Sequence, residues 1–279
     1  MNNIVEPLKA AEDIEKHERS MRKKWQDLPD ELILKILSYS EVKDLISCGQ
    51  VSNRTRNISQ DSSLWVTANL EKKIVKTDLL EMILSKECKI LNISNSTIVG
   101  NLRPSIKSQL RVLDMSQRAL AFYGPCTENI KVLEELLSSC RSLQHLEMEG
   151  LFITPKMAFS ICQNGLTLQK LNLNHSFVDE FSHPYFRVYG VDYPTPKSYM
   201  QEIIKWCQEL KEVDMTGSDG GLNYNNLEFL VRNITPNLEK LNLKSSFFEY
   251  ELVKILFQRC NKIKALSWAG LEYKCEINN

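Results

Sequence analysis

Between residues 28 and 65 the apolar side chains fall at helical spacing, and from about residue 66 they fall at alternate positions within a phrase that keeps returning. The first region predicts three short helices. Leu28-Pro29-Asp30-Glu31 opens the first, with Pro29 in the first turn, where its missing amide costs nothing, and two acids at the positive end of the helix dipole. Leu32, Ile33, Leu34, Ile36 and Leu37 follow. At 100° per residue they cover about 200° of the circumference, against the stripe of roughly 100° that a surface helix buries, so two partners must share this helix. Ser40 is expected to cap a second helix through Leu45 and Ile46 that ends at Gly49, and Val51 to Ile58 a third that runs out at Gln60-Asp61-Ser62. A fragment of about forty residues rarely sustains its own core, which implies an obligate helper.

The returning phrase is Leu-x-x-Leu-x-Leu. It stands as Leu110-x-x-Leu113-x-Met115, Leu143-x-x-Leu146-x-Met148, Leu168-x-x-Leu171-x-Leu173, Leu210-x-x-Val213-x-Met215, Leu238-x-x-Leu241-x-Leu243 and Ile263-x-x-Leu266-x-Trp268, with weaker copies at Ala68–Leu70 and Leu91–Ile93. From Ala68 through Leu91, Leu113, Leu146, Leu171, Val213 and Leu241 to Leu266 the steps are 23, 22, 33, 25, 42, 28 and 25 residues, mostly within the period of roughly 20–29 that marks leucine-rich repeats. Each phrase predicts a short strand, and Leu133–Ser139, Met200–Trp206 and Glu251–Gln258 read as intervening helices. One strand and one helix cannot bury their own apolar faces, but stacked copies can, and helices wider than strands curve the stack into a horseshoe. Cys140, Cys207 and Cys260 each precede a phrase by three residues, where a small thiol suits the turn from helix to strand.

Composition narrows the function. Hydrophobic residues make up 43% of the 279 and charged ones 25%, and Lys+Arg and Asp+Glu both number 35, so no net charge draws the chain toward nucleic acid or an anionic membrane. No apolar run reaches the roughly 18–20 residues of a membrane-spanning helix. Residues 1–24 hold eleven acidic or basic side chains and are expected to be a flexible charged leader rather than a signal peptide. The eight cysteines include no Cys-x-x-Cys, which fits a reducing compartment, nucleus and/or cytoplasm.

Catalytic chemistry is hard to place. His175, Asp179 and His183 have the spacing of helical ligands, but Pro184 and the aromatics after it favour an irregular loop, and no phosphate-binding glycine loop is present. The sequence therefore predicts no active site, no metal and no cofactor. Binding surfaces are the better candidates. Residues flanking the buried strand positions should point into the concave face: Glu147, Glu149, Glu212 and Asp214 as acids, Lys170, Lys240 and Lys244 as bases, Asn172 and Asn242 as amides. A second candidate is the long insertion at about 178–199, where Tyr185, Phe186 and Tyr189 could anchor a protein partner or fold back over the chain's own repeats.

Residues 25–66 resemble an F-box, through Leu28-Pro29-x-Glu31-Leu32, Ile36-Leu37-Ser38, Asp44-Leu45, Val51-Ser52 and the closing Ser63-Leu64-Trp65. Residues 67–279 resemble the cysteine-containing leucine-rich repeats often joined to F-boxes. The family resemblance implies an α/β chain made of a three-helix F-box and a leucine-rich-repeat solenoid. It implies a non-catalytic substrate-recognition subunit of a cullin–RING ubiquitin ligase, bound to a Skp-type adaptor and through it to cullin and RING subunits, with a protein as substrate. Leu28, Pro29, Leu32, Ile36, Leu45, Val51 and Trp65 are the adaptor-binding candidates. Two departures from the family pattern, Thr55 for an aromatic and Ser40-Glu41 for Leu-Pro, leave an alternative open: a scaffold or decoy that sequesters its partner.

Overall fold

A computed structural model describes residues 25, 27–103, 107–117, 127–176, 196–217, 224–244, 250–268 and 271–274. The chain divides into two compact units between Leu64 and Trp65.

The first unit holds α1 (Asp30–Leu37), α2 (Val42–Val51) and α3 (Asn53–Ser59), and a 3-10 turn over Ser62–Trp65 follows. Ile33 and Leu37 of α1 pack inward with Val42 and Leu45 of α2 and Ile58 of α3. The helix boundaries differ from expectation in four places. Pro29 is the residue that caps α1 and not a member of its first turn, with extended ψ of 151°. Glu41, without a side-chain cap, precedes α2 in place of Ser40. Gly49 lies inside α2 and does not end it: a Cβ there would stand 2.9 Å from Ser59 Oγ, so the glycine lets α3 close against α2. Ser52 turns extended and starts α3 two residues later than the apolar pattern suggested.

The second unit is mixed α/β, a row of strands in one sheet with helices between them. The strands are β1 (Thr67–Asn69), β3 (Ile90–Asn92), β5 (Val112–Asp114), β6 (His145–Glu147), β7 (Lys170–Asn172), β8 (Glu212–Asp214), β9 (Lys240–Leu243), β10 (Ala265–Trp268) and β11 (Leu271–Lys274), in that spatial order. All pairs are parallel except the last, an antiparallel β10–β11 pairing that the phrase did not predict. A separate parallel pair, β2 (Ile74–Lys76) with β4 (Thr97–Val99), was also not foreseen. The helices are α4 (Thr77–Ser85), α5 (Thr127–Ser139), α6 (Pro155–Gln163), α7 (Pro196–Trp206), α8 (Tyr224–Asn233) and α9 (Tyr250–Arg259). From α5 onward each packs on the next. Helix α7 takes in residues 196–199, the end of the expected insertion, and the rest of that segment lies outside the described residues.

The repeat fixes the register. Ala68, Leu91, Leu113, Leu146, Leu171, Val213, Leu241 and Leu266 stand opposite one another on successive strands and are all buried. Each buried leucine side chain contributes about 1.5–3 kcal/mol, and a slip of one residue would turn the whole column to solvent. Corners are held by buried polar groups. Asn164 donates from Nδ2 to the carbonyls of Cys140 (3.2 Å) and Ser160 (2.9 Å) and accepts the Leu143 amide on Oδ1 at 3.0 Å. Cys140, Cys207 and Cys260 are buried at these corners, with Sγ 3.3 Å from the Leu136 carbonyl, 3.8 Å from that of Ile161 and 3.4 Å from that of Thr235.

Candidate functional site

The first unit leaves apolar surface exposed. Leu32 (50% exposed) and Ile36 (46%) are four residues apart on α1 and share one stripe of it, while Ile33 and Leu37 occupy the inner face. Leu28, half-buried, precedes the same stripe by four residues, and Pro29 beside it is exposed. Val51, at the end of α2, is 77% exposed. Leu45 (2%) and Trp65 (3%) are instead interior, so of the seven adaptor candidates these two hold the framework and offer no accessible side chain. Tyr39, missed by the sequence reading, is exposed just past α1, with the Lys35 ammonium 5.3 Å from its ring centre. Arg54 of α3 braces the start of α1: its Nε donates to Asp30 Oδ1 at 2.7 Å and its Nη2 to the Leu28 carbonyl.

Thr55, where the F-box pattern has an aromatic, is buried and occupied. Its Oγ1 accepts the Ser52 amide at 3.1 Å while Ser52 Oγ accepts the Thr55 amide at 3.1 Å, a reciprocal capping box with threonine in the place usual for Glu or Gln.

In the second unit the residues flanking the buried column line a polar groove on the strand face. Glu212 Oε1 lies 3.1 Å from both Lys170 Nζ and Lys240 Nζ. Burial pushes the Glu212 carboxyl up, but the hydrogen bonds and charges of the two lysines outweigh it and hold the group below its ordinary value. Glu147 is shifted the opposite way: burial raises it, as do the carboxylates of Asp114, Asp214 and Glu149, against one hydrogen bond from Asn172. His145 is lowered by burial and by Lys170.

Several expected substrate contacts have local structural work. Asn172 Oδ1 accepts the Asn174 amide at 2.9 Å and Asp214 Oδ1 the Thr216 amide at 2.9 Å, and Asn69, Asn92 and Asp114 make the same turn at the ends of their strands. Asn242 differs, donating from Nδ2 to Asp214 Oδ2 at 2.9 Å. Glu149 is half-buried and Lys244 exposed beyond the ends of their strands, and Tyr185, Phe186 and Tyr189 lie outside the described residues. His175 sits in a turn with φ of 52°, while Asp179 and His183 lie outside the described residues. Among the described residues no group of three or more His, Cys, Asp or Glu is placed to hold a metal ion. Burial pushes the thiols of Cys88, Cys140, Cys162 and Cys260 up to about 11, and that of Cys207 higher still.

Residues 25–71 match the F-box-like family. The match covers the three helices, the 3-10 turn and β1, and passes seven residues beyond the boundary between the two units.

Proposed function

We propose that this chain is a substrate-recognition subunit of a Skp–cullin–F-box ubiquitin ligase. The observation that carries the proposal is an F-box-like segment whose first helix turns Leu32 and Ile36 outward, an apolar stripe of the kind a partner protein covers. A Skp-type adaptor is that partner, with cullin and RING subunits joined through it. The strand face of the second unit then holds a protein substrate. Its in-register column and buried Asn and Cys corners support a leucine-rich-repeat solenoid. The phrases Ser142–Leu151 and Leu168–Leu173 resemble repeats of the S-phase-kinase-associated F-box protein.

The chain itself forms and breaks no bond in this role. It raises the concentration of substrate lysines near a ubiquitin-charged enzyme carried elsewhere in the complex, so that a bimolecular encounter becomes a tethered one. The buried thiols of Cys140 and Cys260, pushed up to about 11, stay protonated near neutrality and suit packing rather than nucleophilic chemistry. No cofactor is needed, and the complex works in the nucleus and/or cytoplasm.

The test is recovery of the Skp-type adaptor with the full chain. Wild type retains it; Leu32→Ser with Ile36→Ser, or Leu28→Ala with Pro29→Ala, loses it while the melting transition of the second unit stays in place. Undiminished recovery with both double variants overturns the proposal.

A further inference from the structure

The polar strand face carries two rows, one on each side of the buried column. On the N-terminal side His145, Lys170, Glu212 and Lys240 stand on successive strands; on the C-terminal side Asp114, Glu147, Asn172, Asp214 and Asn242 do so. Two residues along a strand separate the rows by about 6.6 Å, and neighbouring strands lie about 4.8 Å apart. In the first row the anion is paired: Glu212 bridges two lysines and offsets one of their two charges. In the second the anions are not: Asp114, Glu147 and Asp214 form no ion pair with any cation among the described residues.

Like charges on neighbouring strands repel, so holding Asp114 beside Glu147 costs stability unless a cation enters. The upward displacement of Glu147 has that repulsion among its causes, after burial. Asn242 continues the row and lines the same groove, and its Oδ1 is buried with no donor. The amide donors of the row are spent inside it, Asn242 Nδ2 on Asp214 Oδ2 and Asn172 on Glu147, and no cation stands in it. These carboxylates do not converge on one point that a metal ion could share; they are strung out strand by strand, which suits a chain carrying cationic groups.

We propose that this row is a docking track for an arginine- or lysine-bearing segment of the protein held by the chain, laid across β5 to β9 with its cationic groups on Asp114, Glu147 and Asp214. The inference deepens the substrate-receptor reading and rests on it.

The experiment is fluorescence anisotropy of the purified full chain with three labelled probes of equal length: an Arg/Gly peptide, its Glu/Gly counterpart and its phosphoserine/Gly counterpart. The arginine probe should bind best, more weakly as salt rises. Glu147→Gln with Asp214→Asn should weaken it by about tenfold or more. Both are isosteric, and the Asp214→Asn change keeps an acceptor for the Thr216 amide, so a melting temperature no lower than that of wild type certifies the fold. Lys170→Ala with Lys240→Ala should leave the arginine probe bound at least as tightly. Equal arginine affinity in wild type and the carboxylate variant, or preference for the phosphoserine probe, overturns the proposal. The outcome is separable from the ligase reading: lost adaptor recovery with intact, carboxylate-dependent peptide binding counts against the ligase alone.

Discussion

Ser52 and Thr55 each accept the other's backbone amide at 3.1 Å, and the two hydroxyl oxygens lie 2.9 Å apart. This pair sets where α3 begins, and it explains how a small polar residue fills a position that the F-box pattern gives to an aromatic. Thr55→Ala removes the acceptor for the Ser52 amide and should cost about 1 kcal/mol. A lower urea midpoint at unchanged slope would register it.

Leu45 and Leu32 separate framework from contact. Leu45→Ala opens a cavity in the helical core and should cost about 2–5 kcal/mol, with adaptor recovery falling only as the unit unfolds. Leu32→Ser should leave stability within about 0.5 kcal/mol and still weaken adaptor recovery. Parallel denaturation and pull-down series distinguish the two behaviours.

Glu212 is held below its ordinary value of 4.5, so its ion pairs stabilise the fold above that value and the contribution disappears as pH falls through the depressed one. Both lysines are well exposed, and screening keeps the effect below about 1 kcal/mol. Glu212→Gln should lower the melting temperature at neutral pH and leave it unchanged under strongly acid conditions.

Glu147 has the opposite sign. Its folded value stands above 4.5, so the protonated form suits the fold: its contribution is present below the ordinary value and lost as pH rises through the elevated one. Glu147→Gln should therefore raise the melting temperature at neutral pH, with the gain vanishing in acid. A neutral-pH loss of stability in this variant would contradict the crowding of carboxylates on the strand face.

Asn172 discriminates turn chemistry from ligand contact. Asn172→Asp keeps an Oδ1 acceptor for the Asn174 amide but places a carboxylate between Glu147 and Asp214, so it should lose stability at neutral pH and recover it in acid, whereas Asn172→Ala leaves that amide without its partner and should cost about 1 kcal/mol at either pH. Thermal melting of the two variants makes the comparison.

The column from Ala68 to Leu266 was legible because period-two alternation fixes which side chains face inward, whatever lies between the strands. The turns at strand ends are legible too: Asn92, Asp114 and Asp214 are each followed two residues later by Ser or Thr, the signature of a side chain that folds its own backbone. Other features needed tertiary knowledge. Gly49 has the composition of a helix end, and only the approach of Ser59 shows why it sits within a helix. Leu45 and Trp65 are as apolar as Leu32 and Ile36, and nothing in their sequence neighbourhoods says which pair is covered. The β10–β11 pairing joins two segments separated by only two residues, a hairpin that a repeat of parallel strands does not announce.

Strands β7 and β8 keep Leu171 opposite Val213 although 42 positions separate them, as faithfully as β6 and β7 align Leu146 with Leu171 across 25. Alignment is thus indifferent to the length of the excursion between rungs. Such a chain has the geometry to gain or shed sequence in one connection while every other rung stays where it was.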